Sequence, residues 1–350
     1  MEEIDNYIKE KRLELGLIIQ HRKIIYLDVN YWITLDKQSN TKNSIDKTLF
    51  ETVTKLVESK KCVFPISEVT FFELLKQSDK EGLRRIIQLI DAFSEGISMI
   101  NSQERMNLEV IHFLRHKLGD NLYDLRQLIW TKAAFILGYY NLFMMNSFPN
   151  QKSFFDFINN ASLLEIYNTL WSNSEYEPFE YKDDIVQLGR DREKYKNENN
   201  THQQIFLSEL GGYLDEHQKS LDEALLEFYF FKTGKTPSLA EQKTFDTSRY
   251  KTLIYQGFKK GTITNELPIF RIVPELYTNT RQNQNRKYDQ NDTIDFLHAS
   301  FALPYCDYFF TENNLHSAIK QRKLDGLYNC IVVSKLNDVL NILVSLIETE

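Results

Sequence analysis

The feature that most constrains this chain is where its strand-like runs lie. Ile24-Ile25-Tyr26-Leu27 and Cys62-Val63-Phe64-Pro65-Ile66 sit near one end of the 350 residues, Tyr305–Phe310 and Cys330–Val333 near the other. Short unbroken apolar runs read as parallel strands buried on both faces. Helical patterns accompany them. Residues 44–59 repeat apolar side chains at Ile45, Leu49, Val53 and Leu56, and helices are expected over 68–77, 292–303, 313–323 and 336–347. Ser67 is placed to cap the helix beginning at Glu68, and Ser78 or Asp79 the next one. Strands alternating with helices indicate an α/β fold. Each half has too few strands for a stable core, so both are expected to share one parallel sheet.

Residues 96–290 differ in character. They are helical where the pattern is clear, over 104–116, 122–143 and 203–231, and the polar stretch Tyr181–Thr201 reads as an exposed connection. The expected organisation is therefore an N-terminal half-core (1–95), a large, mainly helical insertion (96–290) and a C-terminal half-core (291–350). Scarce Gly (12) and Pro (7), against 19 Tyr and 24 Phe, favour long helices over a turn-rich β sandwich.

The net charge of −7 gives no global sign of a nucleic-acid binder, yet permits an acidic site flanked by a local basic stripe. One candidate stripe is 249–288, where Arg249, Lys251, Lys259, Lys260, Arg271, Arg281, Arg286 and Lys287 interleave with aromatics. Solvated cations around core aromatics explain it equally well. Cys62, Cys306 and Cys330 are too few and scattered for a disulfide framework or a zinc site, and read as buried thiols of a reducing compartment. The charged N-terminus lacks a secretory apolar segment and no run is long enough to span a membrane, so the cytoplasm is expected.

Ligands of open α/β sheets gather beyond the carboxyl ends of the strands. Asp28 ends the first strand, and Glu73 lies two turns into the helix after the second. Asp295, with Asp292 one turn earlier, lies in the helix before the third, which Asp307 and Glu312 flank. Clustered carboxylates repel unless a cation neutralises them, and hard divalent ions take oxygen ligands. Phe71, Phe72, Leu74 and Leu75 surround Glu73, so its carboxylate is expected to be partly buried and paired or metal-bound. Asp292 reads equally well as a helix cap. His298 reads as a hydrogen-bonded core or ligand-orienting histidine rather than a ligand for Mg²⁺.

Leu27-Asp28-Val29-Asn30, Pro65-Ile-Ser67-Glu-Val-Thr70-Phe-Phe-Glu73-Leu, Asp295-Phe-Leu-His-Ala299 and Cys306-Asp307-Tyr-Phe-Phe-Thr311-Glu312-Asn313 occur in that order. Together they resemble the motifs of the PIN-domain family of nucleases, across residues 20–95 and 290–350. The resemblance implies a three-layer α/β/α core with a parallel sheet, and phosphodiester hydrolysis, most often of RNA, with one or two Mg²⁺ or Mn²⁺ ions. Asp28, Glu73, Asp295 and Asp307 would carry catalysis through the metal, with Asp292 and Glu312 as further ligands. Asn30, His298, Thr311 and Asn313 would orient them. Asn313 stands where the family usually has Asp, which leaves the fourth ligand open among Asp307, Glu312 and Asn313. The expected activity is that of an endoribonuclease, with a protein partner or a second copy docking on the insertion. The alternatives are a catalytically silent RNA- or protein-binding relative and a DNA-directed nuclease. Arg105 and His112 loosely resemble the Arg-x4-6-His spacing of HEPN ribonucleases, but Met106 replaces the usual Asn and the pair is set aside.

Overall fold

The strand runs from the two ends of the chain meet in one sheet. The computed structural model describes residues 2–41, 48–120, 123–138, 151–172, 182–194, 201–238, 241–242, 247–283 and 288–348. The N-terminal part comprises α1 (Glu2–Ile19), β1 (Lys23–Leu27), α2 (Val29–Asn40), α3 (Thr48–Glu58), β2 (Cys62–Val63), α4 (Glu68–Leu75) and α5 (Lys80–Ser94). The middle contains β3 (Ile97–Met99), α6 (Ser102–Lys117), α7 (Leu125–Leu128) and β4 (Trp130–Lys132). The helices α8 (Gln151–Asn159), α9 (Leu163–Leu170), α10 (Lys182–Lys194), α11 (His202–Glu216), α12 (Gln218–Thr233), α13 (Thr247–Lys260) and α14 (Pro268–Gln282) follow. The C-terminal part is α15 (Gln290–Tyr305), β5 (Tyr308–Phe310), α16 (Asn313–Gln321), α17 (Leu324–Tyr328), β6 (Ile331–Val333) and α18 (Leu336–Glu348).

The main sheet runs β2-β1-β5-β6 with every pairing parallel, so β1 from the start of the chain lies directly beside β5 from its end. Alternation along each strand sends side chains to two apolar layers. Ile25, Leu27, Phe310 and Val333 pack with Trp32 of α2, Leu56 of α3, Ile87 of α5 and Leu343 of α18. Ile24, Tyr26, Phe309 and Val332 pack on the other face with Met106 of α6, Phe270 of α14 and Phe301 of α15. Helices thus cover both faces of a parallel sheet, an α/β arrangement in a chain that is mostly helical.

Ser67 caps α4 through the Thr70 amide and Asp79 caps α5 through the Gly82 amide, as their side-chain chemistry predicts. Elsewhere the structure departs from the periodicity. The helix expected over 122–143 is replaced, among described residues, by α7, β4 and a short 3-10 turn at Ala133–Phe135. Leu122 and 139–143 lie outside those residues. The reason is a pairing partner distant in sequence, since β4 joins β3 antiparallel, with Ile97 opposite Lys132 and Met99 opposite Trp130. The helix expected over 203–231 breaks at His217, whose Nδ1 donates to the Tyr213 carbonyl at 2.9 Å. The connection expected over 181–201 contains α10, with Tyr181 and 195–200 outside the described residues. The start of the helix expected over 44–59 likewise lies outside them.

Carboxylates of one helix fasten the beginning of another. Glu68 of α4 accepts from the Ser102 amide at the start of α6, at 2.7 Å. Asp91 of α5 accepts from Leu163 and Leu164 at the start of α9, at 2.8 and 3.0 Å. Glu109 of α6 accepts from Ile269 in α14 at 3.0 Å. Each satisfies amides that have no partner within their own helix. Arg105, wholly buried and four residues before Glu109, donates to the Ser300 carbonyl at 2.7 Å and to its hydroxyl at 2.8 Å, which clamps α15. Among the described residues no helix is long and apolar enough to cross a membrane.

Candidate active site at the carboxyl edge of the sheet

The register of β1 and β5 decides what stands at their ends. Leu27 pairs with Phe310, so the next residues, Asp28 and Thr311, emerge side by side. The Thr311 hydroxyl donates to Oδ2 of Asp28 at 3.0 Å. Asp28 occupies the cap position of α2 but makes no capping hydrogen bond, and it is 5% exposed. Glu312 occupies the cap position of α16 and also makes none; its carboxylate accepts instead from the Asn30 amide. Two helix-start acids that follow adjacent strands therefore forgo the backbone, and each bonds a side chain from the segment that follows the other strand.

The helices α4 and α15 complete the cluster. Both begin at the carboxyl edge, α4 because it follows β2 and α15 because it runs back toward the start of β5. Glu73 on α4 accepts from Nε2 of His298 on α15 at 3.1 Å. Burial works against both charged forms. Even so, the hydrogen bond and the imidazole charge lower the Glu73 carboxyl, while Glu73, Asp28 and Asp295 together raise His298. Asp295, one turn before His298, feels the imidazole charge but makes no hydrogen bond to it that offsets burial. Burial, then the charges of Asp28, Glu312 and Glu73, push its carboxyl from 3.8 to about 7, with His298 opposing them. Burial and the charge of Asp28 raise Glu312 as well. Asp28, Glu73, Asp295 and Glu312 thus feel one another, as clustered carboxylates must.

Other candidates stand elsewhere. Asp307 precedes β5, and in a parallel sheet a residue before a strand lies at the edge opposite to residues that follow one. Its carboxylate accepts from the Ile24 amide at 2.9 Å, next to Lys23, so it is removed from the acidic cluster and from the expected ligands. Asp292 is buried and closes the capping box of α15, accepting from the Asp289 amide at 2.9 Å. The N-cap is Asp289, three residues before the expected one, and Asp292 pairs with it from the first turn of the helix. Asn313 is exposed in the first turn of α16. In the stretch 249–288, Lys251, Arg271 and Arg281 are ion-paired to Asp215, Glu275 and Glu209, and Phe258 and Phe270 are core residues. These pairings and core aromatics fit the alternative of solvated cations around a core, for those residues; Arg286 and Lys287 lie outside the described residues. Arg105 and His112 share no site: the first is buried against Glu109 and Ser300, the second bonds to the Tyr123 carbonyl.

Three residues join the site that the sequence did not assign to it: Tyr26, Thr70 and Ser67, the last expected only as a cap. The Tyr26 hydroxyl lies 2.7 Å from Nδ1 of His298, 2.6 Å from Ser67 Oγ and 2.9 Å from Thr70 Oγ1. Burial holds the Tyr26 phenol far above its usual range, so it stays neutral. Periodicity contained the signal. Tyr26 and Asp28 share one face of β1, and Thr70 lies one turn before Glu73 on α4.

The donor chemistry suits a hard divalent cation: all oxygen, densely negative, with one carboxyl forced toward its neutral form. Among the described residues, however, no three His, Cys, Asp or Glu side chains stand close enough to enclose an ion as they are. Thr311 engages one oxygen of Asp28 and His298 one of Glu73, leaving each a second oxygen to turn inward. No family model, no curated protein and no solved structure matches this chain.

Proposed function

We propose that this protein is a metal-dependent nuclease built on a three-layer PIN-like core, acting as an endoribonuclease with Mg²⁺ or Mn²⁺. The observation that carries the reading is geometric: Asp28 and Thr311 emerge side by side at the carboxyl ends of β1 and β5, and Glu73 of α4 meets His298, one turn after Asp295 on α15. The order of the four motifs, and their resemblance to those of the PIN family, supports it further. Asp28, Glu73 and Asp295 bind the ion, and Glu312 takes the fourth place left open by Asn313 and by Asp307, which bonds the Ile24 amide at the other edge. Thr311 fixes the orientation of Asp28, and Asn30 that of Glu312. When bound, such an ion lowers the pKa of a coordinated water and offsets charge on the scissile phosphate. RNA as substrate rests on the resemblance, since no residue of the cluster distinguishes a 2′-hydroxyl.

A second reading, a silent relative that binds RNA or protein, is favoured by the spread of the acids and by Asn313. Cleavage of labelled single-stranded RNA and DNA with Mn²⁺, Mg²⁺ or EDTA separates the two. Wild type is expected to cut RNA only with metal, and Asp28→Asn to lose at least 100-fold in rate (a fall of about 3 kcal/mol in transition-state stabilisation) while keeping its melting profile. A well-folded wild type that cuts neither polymer favours the silent reading.

A further inference from the structure

The acids of the cluster are supported unequally. Asp28 and Glu312 each lean on one neighbour, Thr311 and Asn30, whereas Glu73 is backed by a buried chain of side chains from α15, β1 and the start of α4. Tyr26 has three partners, and its chemistry matches them. A phenol donates one hydrogen and accepts up to two, and Ser67 and Thr70 hydroxyls can each donate to it. The one donation left to Tyr26 then goes to Nδ1 of His298, which puts the ring hydrogen on Nε2, facing Glu73. When the ring carries both hydrogens, Nδ1 donates to Tyr26, Tyr26 donates to Ser67 or Thr70, and Nε2–H still faces Glu73. In either arrangement the carboxylate meets a donor. His298 is 1% exposed and Tyr26 is fully buried, so the contact is shielded from bulk solvent on the far side.

We propose that Tyr26 and His298 are positioning residues of the candidate centre. Tyr26, held by Ser67 and Thr70, fixes the imidazole so that Nε2–H immobilises one oxygen of Glu73 and leaves the other for the cation. The inference deepens the proposed function and rests on it. Partners standing behind ligating side chains typically contribute ten- to a hundred-fold in metal affinity.

The test is Mn²⁺ binding followed by electron paramagnetic resonance on the full chain, with thermal melting of every variant. The variants are Asp28→Asn, Tyr26→Phe, His298→Gln and His298→Leu. The isosteric Tyr26→Phe is expected to weaken Mn²⁺ binding by about ten-fold while remaining folded. His298→Leu should lose more, and His298→Gln, whose amide can still donate toward Glu73, should recover part of that loss at equal stability. If wild type binds Mn²⁺, Asp28→Asn does not, and Tyr26→Phe binds as wild type does, the positioning role is overturned and the metal centre stands. Equal affinity in His298→Gln and His298→Leu, both folded, overturns it too. If wild type and Asp28→Asn are alike in failing to bind, the metal centre itself falls, and the inference with it.

Discussion

At the scale of single residues, burial, with the charges of its acidic neighbours added to it, disfavours the ionised form of Asp295 in the ion-free protein. Its carboxyl sits near 7 in the fold against 3.8 ordinarily. Between those values the native state keeps a proton that the unfolded chain releases, so stability falls as pH rises from about 4 to about 7 and is level above. Asp295→Asn removes this titration. The ion-free variant is expected to be more stable than wild type at pH 8 by about 1–3 kcal/mol, with the gain shrinking toward pH 4. Urea denaturation across that range measures it, and a pH-independent difference rules out a raised Asp295 carboxyl as the origin. Much of the cluster was legible from the sequence because strand ends and helix faces are short-range facts. Asp28, Glu73 and Asp295 needed only periods of two and about four residues. Asp307 misled for a reason also present in the chain: it precedes its strand, and a parallel sheet sends residues before and after a strand to opposite edges.

At the scale of elements, helices whose starts carry their own cap were the easiest to read. Ser67 and Asp79 announce α4 and α5 from chemistry within three residues. The pair β3 and β4 could not be read, because each strand has three residues and pairs with a segment distant in sequence. The same distinction applies to helix starts held from another helix. Asp91 bonds two amides of α9 from across the packing interface. Asp91→Ala removes that anchor and is expected to cost about 1 kcal/mol, the order of a lost cap, with the Ser162 capping box retained. Chemical denaturation gives the stability change, and amide hydrogen exchange at Leu163 and Leu164 gives its location. Faster exchange confined to α9 is the expected pattern, and unchanged protection there removes Asp91 as the anchor. Through Arg105 and Ser300, α6 plays a similar part for α15, and that clamp keeps His298 and Asp295 at the height of Glu73.

At the scale of the whole molecule, the middle of the chain is part of the same solid body as the two ends. One apolar layer combines Tyr26 of β1, Phe206 of α11, Phe270 of α14 and Phe301 of α15. A fragment ending at residue 289 would leave β1 without its neighbour β5 and that layer without α15. It is expected to lose cooperative urea unfolding rather than to fold as a smaller domain. A sharp transition in this fragment shows instead that the N-terminal part stands alone. Joining distant strands also slows folding, since loops of this size must close before the contacts that reward closure can form. The bond from Thr311 to Asp28 spans 283 positions, and that from His298 to Glu73 spans 225. During synthesis a ribosome therefore displays a carboxylate-bearing half of the centre for most of the elongation time with nothing to complete it. If the assembled centre cuts RNA, an unfinished copy is harmless to the very message that encodes it.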